Sequence, residues 1–372
     1  MRVAVTGGGS GGHVYPAIAI ADKFREKDPE GSILYIGYMY GLEKTAVPKA
    51  GYELAEIDTS WIDRSNLLRL AHTARYVLIG IRQATKVLKK FKPDVVVGTG
   101  GFVCYPVILS ARRMGVPCYI HEQNAFPGLA NRRLEKYVNK IFLGFEEGGK
   151  LFKDKSKLVV TGNPVRSSFF KADKSEARKK LGLNEGDFVV LSFGGSLGAP
   201  ALNTLAMSLL EDMNGKEGQT LIFGTGKDHF ENVKNEIREK NIDLKDNIRI
   251  KDYIDDMDSH IAAADLIISR AGALSVAETL VAGKPSILVP SPNVTGNHQF
   301  FNAKAVADKG GAILMEEKDL DPEEIVKTVS ELRLQPEKLE EMGRRARELA
   351  PASATDLIYE GIVGDLWKNT NA

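Results

Sequence analysis

Val3-Ala4-Val5-Thr6-Gly7-Gly8-Gly9-Ser10-Gly11-Gly12-His13 opens as a strand and closes as the start of a helix. The apolar run breaks into glycines and leads into a helical pattern of Ala17, Ile18, Ala21 and Phe24. That order is the first strand, turn and helix of a doubly wound α/β domain. Glycines in such a turn let backbone N–H groups come close to an anionic group at the helix N-terminus. Residues 7–12 also satisfy the G-x-G-x-x-G spacing of dinucleotide-binding turns. That fingerprint needs a carboxylate about twenty residues on, at the end of the second strand, to hold a ribose. Here the expected second strand, Ile33 to Ile36, runs into Gly37-Tyr38-Met39-Tyr40-Gly41, with no carboxylate before Glu43. The loop is built to hold something, and NAD is excluded by position.

The chain has 372 residues, which suits two α/β domains, each with its own core. No apolar stretch reaches membrane-spanning length and the chain enters a strand at once, so a protein without signal peptide or transmembrane helix, resident in the cytoplasm, is expected. Cys104 and Cys118 lie in apolar surroundings without metal-ligand spacing and read as reduced, buried thiols. Net charge is +1, yet residues 1–165 carry 24 Lys+Arg against 15 Asp+Glu and the remainder 26 against 34. A basic half joined to an acidic half places any anionic partner on the first.

The charge is densest over residues 61–92, where Arg64, Arg69, Arg75, Arg82, Lys86, Lys89, Lys90 and Lys92 face a lone Asp63. A helix is expected from Asn66, with Leu67, Leu70, Ala74, Leu78, Ile81 and Leu88 toward the core. At about 100° per residue, Arg75, Arg82, Lys86 and Lys89 fall within a sector of roughly 60° beside that stripe. A solvated basic face is one reading. The other, favoured by the charge asymmetry, is a surface that rests on anionic lipid headgroups.

Further on, a strand from Asp94 to Val97 ends in Gly98-Thr99-Gly100-Gly101, and one from Pro117 to Ile120 ends in His121-Glu122-Gln123-Asn124. Ligands of open α/β sheets bind beyond the carboxyl ends of strands, so the ends at Thr6, Gly98 and His121 should line one crevice. His121 and Glu122 are either ligand contacts or hydrogen-bonded residues that shape a turn. A strand from Leu158 to Val160 then ends in Gly162-Asn163-Pro164-Val165-Arg166, a turn signal where the acidic half begins. The domain break is set there, giving domains 1–163 and 164–352, with Arg166 poised to grip a phosphate or carboxylate.

The second half restarts the pattern. A strand from Phe188 to Phe193 leads into Gly194-Gly195-Ser196-Leu197-Gly198-Ala199 and a helix from Pro200; further strands are expected at Leu221–Phe223, Ile248–Ile250, Leu266–Ser269 and Ser286–Val289. At Ser269-Arg270-Ala271-Gly272-Ala273-Leu274-Ser275 a strand passes into a helix that carries Glu278. Small residues at a helix start let a diphosphate approach its free N–H groups, and a carboxylate can accept from two ribose hydroxyls. Diphosphate and ribose together spell a nucleoside diphosphate. Asn297-His298-Gln299, before another helix, suits sugar hydroxyls. Asp256-Met257-Asp258 and Asp319-Leu320-Asp321 match a metal-binding D-x-D pattern but read better as helix caps, so no metal is expected. Residues 353–372 read as an amphipathic helix that docks back on the first domain.

Taken together, Gly7 to Pro16, Gly98 to Phe102, His121 to Asn124, Gly162 to Arg166, Gly194 to Ala199, Arg270 to Glu278 and Asn297 to Ala303 closely resemble the bacterial MurG family of N-acetylglucosaminyltransferases. The resemblance implies two Rossmann-like doubly wound domains facing a cleft, the GT-B arrangement, and conversion of lipid I to lipid II in peptidoglycan synthesis. It implies an acceptor site on the first domain at Gly9, Ser10, Gly11, Gly12, Gly100, Gly101, His121, Glu122 and Asn124, with His13 as the catalytic base. It also implies a UDP-GlcNAc site on the second. There Ile254 packs at the uracil, Glu278 holds the ribose, and Ser196, Arg166 and the N–H groups of Ala273, Leu274 and Ser275 take the diphosphate. Gln299 and Asn302 lie near the sugar, and Asn124 near both substrates. Some members carry a second glutamine where this chain has His298.

The expected reaction is inverting and metal-independent, with no cofactor: the base removes a proton from the muramyl hydroxyl as it attacks the anomeric carbon, and UDP leaves. Expected partners are UDP-GlcNAc, lipid I and an anionic membrane at the cytoplasmic face, with no nucleic acid. Alternatives are a glycosyltransferase with another lipid acceptor such as diacylglycerol, a nucleotide-sugar epimerase, and a non-catalytic binding protein.

Overall fold

In a computed structural model, which describes residues 1–60, 67–195, 198–350 and 353–370, both glycine-rich turns follow the first strand of a wholly parallel sheet. The chain divides into two units: Met1–Val165 with Ala352–Ala372, and Arg166–Pro351. The break falls after Val165, two residues past the expected one at Asn163. It still lies in the Gly162-Asn163-Pro164 turn.

The first unit holds β1 (Arg2–Thr6), β2 (Ser32–Tyr38), β3 (Glu53–Ile57), β4 (Val95–Gly98), β5 (Cys118–Glu122), β6 (Lys140–Leu143) and β7 (Leu158–Val160), in the order β3-β2-β1-β4-β5-β6-β7. The order reverses between β1 and β4, the switch point at which doubly wound sheets bind ligands. Register makes the point specific. Thr6 pairs with Gly98, and Gly98 with Ile120, so the loops after β1, β4 and β5 leave the sheet side by side. β1 and β4 are buried on both faces, which is why they read as unbroken apolar runs.

The second unit holds β8 (Phe188–Phe193), β9 (Gln219–Gly224), β10 (Ile248–Lys251), β11 (Leu266–Ser269), β12 (Ser286–Leu288) and β13 (Ala312–Leu314), ordered β10-β9-β8-β11-β12-β13. Phe193 pairs with Ser269, which sets the turn after β8 beside the one after β11.

The helix Ala354–Thr370 belongs to the first unit. Ile358 and Ile362 are fully buried, Tyr359 meets Phe24 edge-on at 5.1 Å, and the Tyr119 hydroxyl donates to Asp365 at 2.7 Å. Burying each isoleucine is worth about 1.5–3 kcal/mol.

The basic helix runs Leu67–Phe91, but its core face differs from the expected one. Leu88 is buried as expected, but Leu78 is 58% exposed and Ala74 is exposed too, while Thr73, Gly80 and Ala84 face inward; the side chains of Leu67 and Leu70 lie outside those described. Close approach is the reason: a Cβ at Gly80 would stand 2.8 Å from the Thr59 Cβ, so small residues mark the contact and the large leucine is turned out. Arg75, Arg82, Lys86 and Lys89 are all exposed, and Leu78 shares their side of the helix. Arg64, Asn66 and the rest of residues 61–66 lie outside the described residues.

Candidate functional site

In the first unit, three loops are locked together before any ligand is considered. Thr99 N donates to Thr6 O (2.9 Å), the Thr99 hydroxyl to His13 O (2.7 Å), and the Tyr35 hydroxyl to Gly7 O (2.7 Å). A Cβ at Gly7 would strike the Thr99 hydroxyl, at Gly8 the Glu43 carboxylate, at Gly100 the His13 ring and at Gly101 the Gly8 carbonyl. Gly100 (φ 102°) and Gly101 (φ 80°) also hold backbone angles that L side chains rarely adopt. Gly9, Ser10 and Gly12 are exposed, Gly11 and Gly101 partly so, and Gly100 is buried. The exposed rim therefore falls to Gly9–Gly12, where the helix Gly11–Lys27 begins without a side-chain cap. His13 N and Val14 N donate to Ser10 O, which leaves the Gly11 and Gly12 N–H groups open to an anionic or hydroxylic group.

His13 stands in the first turn of that helix, half-buried. Its Nδ1 lies 3.0 Å from Thr99 O and 3.2 Å from Gln123 Oε1; Nε2 makes no hydrogen bond among the described residues. Gln123, 1% exposed, spans the floor of the site, with Nε2 at 2.8 Å from Thr99 O and 3.1 Å from His121 Nδ1. His121 Nε2 lies 3.0 Å from Gly162 O. Burial pushes the His121 imidazole down to about 4, only partly offset by that carbonyl, so the ring is neutral.

His121 and Glu122 are 0% and 1% exposed, and the expectation that they touch the acceptor is corrected. β5 runs two residues further than expected, which draws both into the sheet. The Glu122 carboxylate accepts from Asn124 N (3.0 Å), Asn124 Nδ2 (3.2 Å), Gly128 N (3.0 Å) and Asn131 Nδ2 (2.9 Å). It thus fixes the turn that presents Asn124, which is half-buried at the surface. Cys104 and Cys118 are buried, and burial pushes each thiol up to about 12.

Three residues of this region escaped the sequence reading. Glu43 is fully buried, accepts from Tyr38 N (3.2 Å) and fills the space that Gly8, Gly37 and Gly41 leave. Thr99 and Gln123 build the cradle of His13. A signal for Gln123 was present: residues two apart at a strand end share a face, so Gln123 accompanies His121.

In the second unit the helix Ala273–Val281 begins after Gly272, which has no side chain to cap it. Leu274 and Ser275 are half-buried at its mouth, Ala273 more deeply set. Glu278, one turn on, makes no hydrogen bond among the described residues. Burial pushes its carboxyl up to about 7, with Arg166 pulling it down and Asp258 pushing it up. A half-buried carboxylate without donors among the described residues can accept from hydroxyls. Arg166 is exposed and lies over the Phe169 ring at 5.1 Å. Ile254 is 6% exposed and packs close to Gly224, at the end of β9. Ser196 lies outside the described residues.

Asn302 is corrected from a sugar contact to a strut, being fully buried with its amide donating to Ala271 O at 3.1 Å. It holds the loop that precedes the open helix. Gln299 is half-buried and accepts from Ser291 N at 2.9 Å. Arg270 binds the Val289 and Pro290 carbonyls and Glu317, and so braces β12. Asp321 caps its helix through Glu323 N, while Asp256 pairs with His260. Among the described residues no cluster of His, Cys, Asp or Glu is placed to hold a metal ion.

Residues 3–143 match the glycosyltransferase family 28 N-terminal domain, and residues 189–358 the glycosyltransferase family 28 C-terminal domain. A protein of Acetivibrio thermocellus is 40% identical over 372 residues, all of both chains. One of Bacillus cytotoxicus is 39% identical over 97% of this chain and 98% of its own. Both are named as UDP-N-acetylglucosamine/N-acetylmuramyl-(pentapeptide) pyrophosphoryl-undecaprenol N-acetylglucosamine transferase. Among solved structures, Acinetobacter baumannii MurG superposes with a TM-score of 0.74 at 28% identity, covering 96% of this chain and 99% of that one. A UDP-GlcNAc 2-epimerase from Neisseria meningitidis has a TM-score of 0.71 at 16% identity, covering 98% and 100%, a likeness of fold alone.

Proposed function

The chain belongs to glycosyltransferase family 28, and we propose that it transfers N-acetylglucosamine from UDP-GlcNAc to the muramyl 4-hydroxyl of lipid I, giving lipid II. The observation that carries the reading is the helix start at Gly272, which offers no side-chain cap of its own, with the Glu278 carboxylate, without a donor among the described residues, one turn along it. The first suits a diphosphate and the second a ribose. Ala273, Leu274 and Ser275 N–H groups and Arg166 stabilise the charge that gathers on the leaving UDP, the helix dipole adding about 0.3–1 kcal/mol per charge. Ile254 packs against the uracil, and Gln299 orients the sugar.

On the first unit, Gly9–Gly12 and Asn124 position the acceptor. His13 Nε2 takes the proton of the muramyl hydroxyl as its oxygen bonds to the anomeric carbon. The bond from that carbon to the phosphate oxygen breaks on the far side, so configuration inverts, and no metal is required. The face carrying Arg75, Leu78, Arg82, Lys86 and Lys89 rests on anionic lipid at the cytoplasmic surface of the membrane. No helix of the described residues is long and apolar enough to cross it.

The test supplies UDP-GlcNAc with lipid I, with diacylglycerol, or alone, and follows UDP release and the fate of the sugar. Release that requires lipid I is expected. Release driven by diacylglycerol, or epimerised sugar nucleotide without acceptor, overturns the assignment.

A further inference from the structure

Every polar atom around the inner side of His13 has its proton assigned by the chemistry of its neighbour. Thr99 O, 3.0 Å from His13 Nδ1, is a carbonyl and only accepts, so Nδ1 carries a hydrogen. The same carbonyl lies 2.8 Å from one end of the Gln123 amide, which must therefore be the NH2 end. Its oxygen then faces His13 Nδ1 at 3.2 Å and accepts as well. The second hydrogen of that NH2 is shared between His121 Nδ1 at 3.1 Å and His121 O at 3.3 Å, so Nδ1 meets it with a lone pair. It can, because His121 Nε2 donates to Gly162 O at 3.0 Å and the ring is neutral and fully buried. Four assignments made from separate contacts agree, and the chain of donors has one direction: His121 Nε2–H to Gly162, Gln123 Nε2–H to His121, His13 Nδ1–H to Gln123 and Thr99.

We propose that Gln123 and His121 are positioning residues that lock His13 in the tautomer with a hydrogen on Nδ1 and a lone pair on the outward Nε2. The proposal rests on the reading of His13 as general base and says how that base is kept ready. The two tautomers of a free imidazole interconvert easily, and only the one with Nε2 bare can take a proton from an acceptor hydroxyl at that atom. When it does, the O–H bond of the acceptor breaks, an N–H bond forms at Nε2, and the imidazolium keeps its Nδ1–H bonds to two neutral oxygens. Among the described residues no carboxylate accepts from Nδ1. The relay thus orients the ring without a fixed charge beside it, unlike a triad in which an aspartate does both. His121 is too deeply buried to share the proton, and its remaining role is to hold the Gln123 amide the right way round.

The test uses the full-length protein with 15N-labelled histidine. Two-bond proton–nitrogen correlations identify the protonated nitrogen of each ring, and a His13→Ala spectrum assigns the His13 signals. Wild type should show His13 protonated at Nδ1 and His121 at Nε2. In Gln123→Met, which keeps length and removes the hydrogen bonds, His13 should become a mixture of tautomers, with kcat lowered about 10–100-fold and KM for UDP-GlcNAc unchanged. Gln123→Glu should keep the tautomer but move the acid limb of the pH–rate profile to higher pH, a change that loosened packing alone would not produce. Wild-type His13 protonated at Nε2, or a Gln123→Met protein with unaltered tautomer and kcat, overturns the relay. The base reading fails separately: a folded His13→Ala protein with normal turnover removes the base, and with it the catalytic purpose of the relay, whatever the spectra show.

Discussion

The turns after β4 and β11 leave corresponding strand ends of the two units and are used for opposite ends. At Gly100 and Gly101, as at Gly7 and Gly8, an added Cβ would come within 3 Å of protein atoms, and after β8 a Cβ at Gly194 or Gly198 would likewise strike the Ala199 N or the Thr225 carbonyl; at Gly272, after β11, the nearest atom among the described residues is the Ser275 hydroxyl at 3.8 Å. In the first unit the missing side chains make room for Thr99, Glu43 and His13. In the second, the turn after β11 leaves the space beside Gly272 open among the described residues. The polar groups follow suit: His121, Gln123 and Glu122 are saturated by protein partners, while the Glu278 carboxylate has no donor among the described residues. The contacts of His13 Nδ1 are made within the protein, while its Nε2 makes no hydrogen bond among the described residues. The other keeps an acceptor open at Glu278 among the described residues.

The contrast breaks most visibly at His13. His13→Ala should lower turnover by about 10²–10⁴-fold while UDP-GlcNAc binding and melting temperature stay near wild type. A comparable loss of stability would place the histidine among the packing residues instead. Next in size is the pair Gly101→Ala and Gly272→Ala. The first meets the Gly8 backbone at φ 80° and should cost about 1–3 kcal/mol in a denaturant titration. The second should stay within about 0.5 kcal/mol. Equal losses would erase the distinction between filled and open turns.

Glu278 sharpens the comparison through pH. Its folded carboxyl lies near 7, above the ordinary 4.5, so its contribution to stability is present below 4.5 and is lost as pH rises through 7. Ribose hydroxyls donate to the ionised form and draw the titration downward. UDP binding should therefore release protons near pH 7 and tighten as pH climbs through it, an effect calorimetry in buffers of different ionisation enthalpy reads directly. Glu278→Gln should abolish the release and weaken UDP by about 1.5–3 kcal/mol. Proton uptake, or unchanged affinity, would take Glu278 out of the ribose site. Smallest per residue is the basic face, where each of Arg75→Gln, Arg82→Gln and Lys86→Gln should weaken sedimentation with anionic vesicles by about 1 kcal/mol. Equal binding to neutral vesicles would leave that face merely solvated.

What the sequence made legible were features set by near neighbours. The runs of β1, β4, β8 and β11 are buried on both faces and announce themselves. β3, half exposed at a sheet edge, and the short β6 and β13 do not. On the helix Leu67–Phe91 leucine counted for more than glycine in the pattern, although Gly80 makes the close contact. The loop after β1 was legible from its glycines and His13, but the state of His121 was not. Its partners at Gly162 and Gln123, and theirs at Thr99 24 residues from Gln123, come together only through strand order. Whether a polar residue at a strand end is a contact or a strut is decided by groups that the local pattern does not contain.

The helix Ala354–Thr370 gives this architecture a schedule. It completes the core beside Phe24, from the opposite end of the chain, and the whole second unit is threaded between. On a ribosome, the first unit is begun before the second and finished after it: its apolar surface over the helix Gly11–Lys27 stays uncovered until the helix Ala354–Thr370 has been released. The second unit has no such wait. A chain interrupted near residue 350 would carry one unit able to settle and one with an open, sticky face, and synthesis order alone makes that face the vulnerable one.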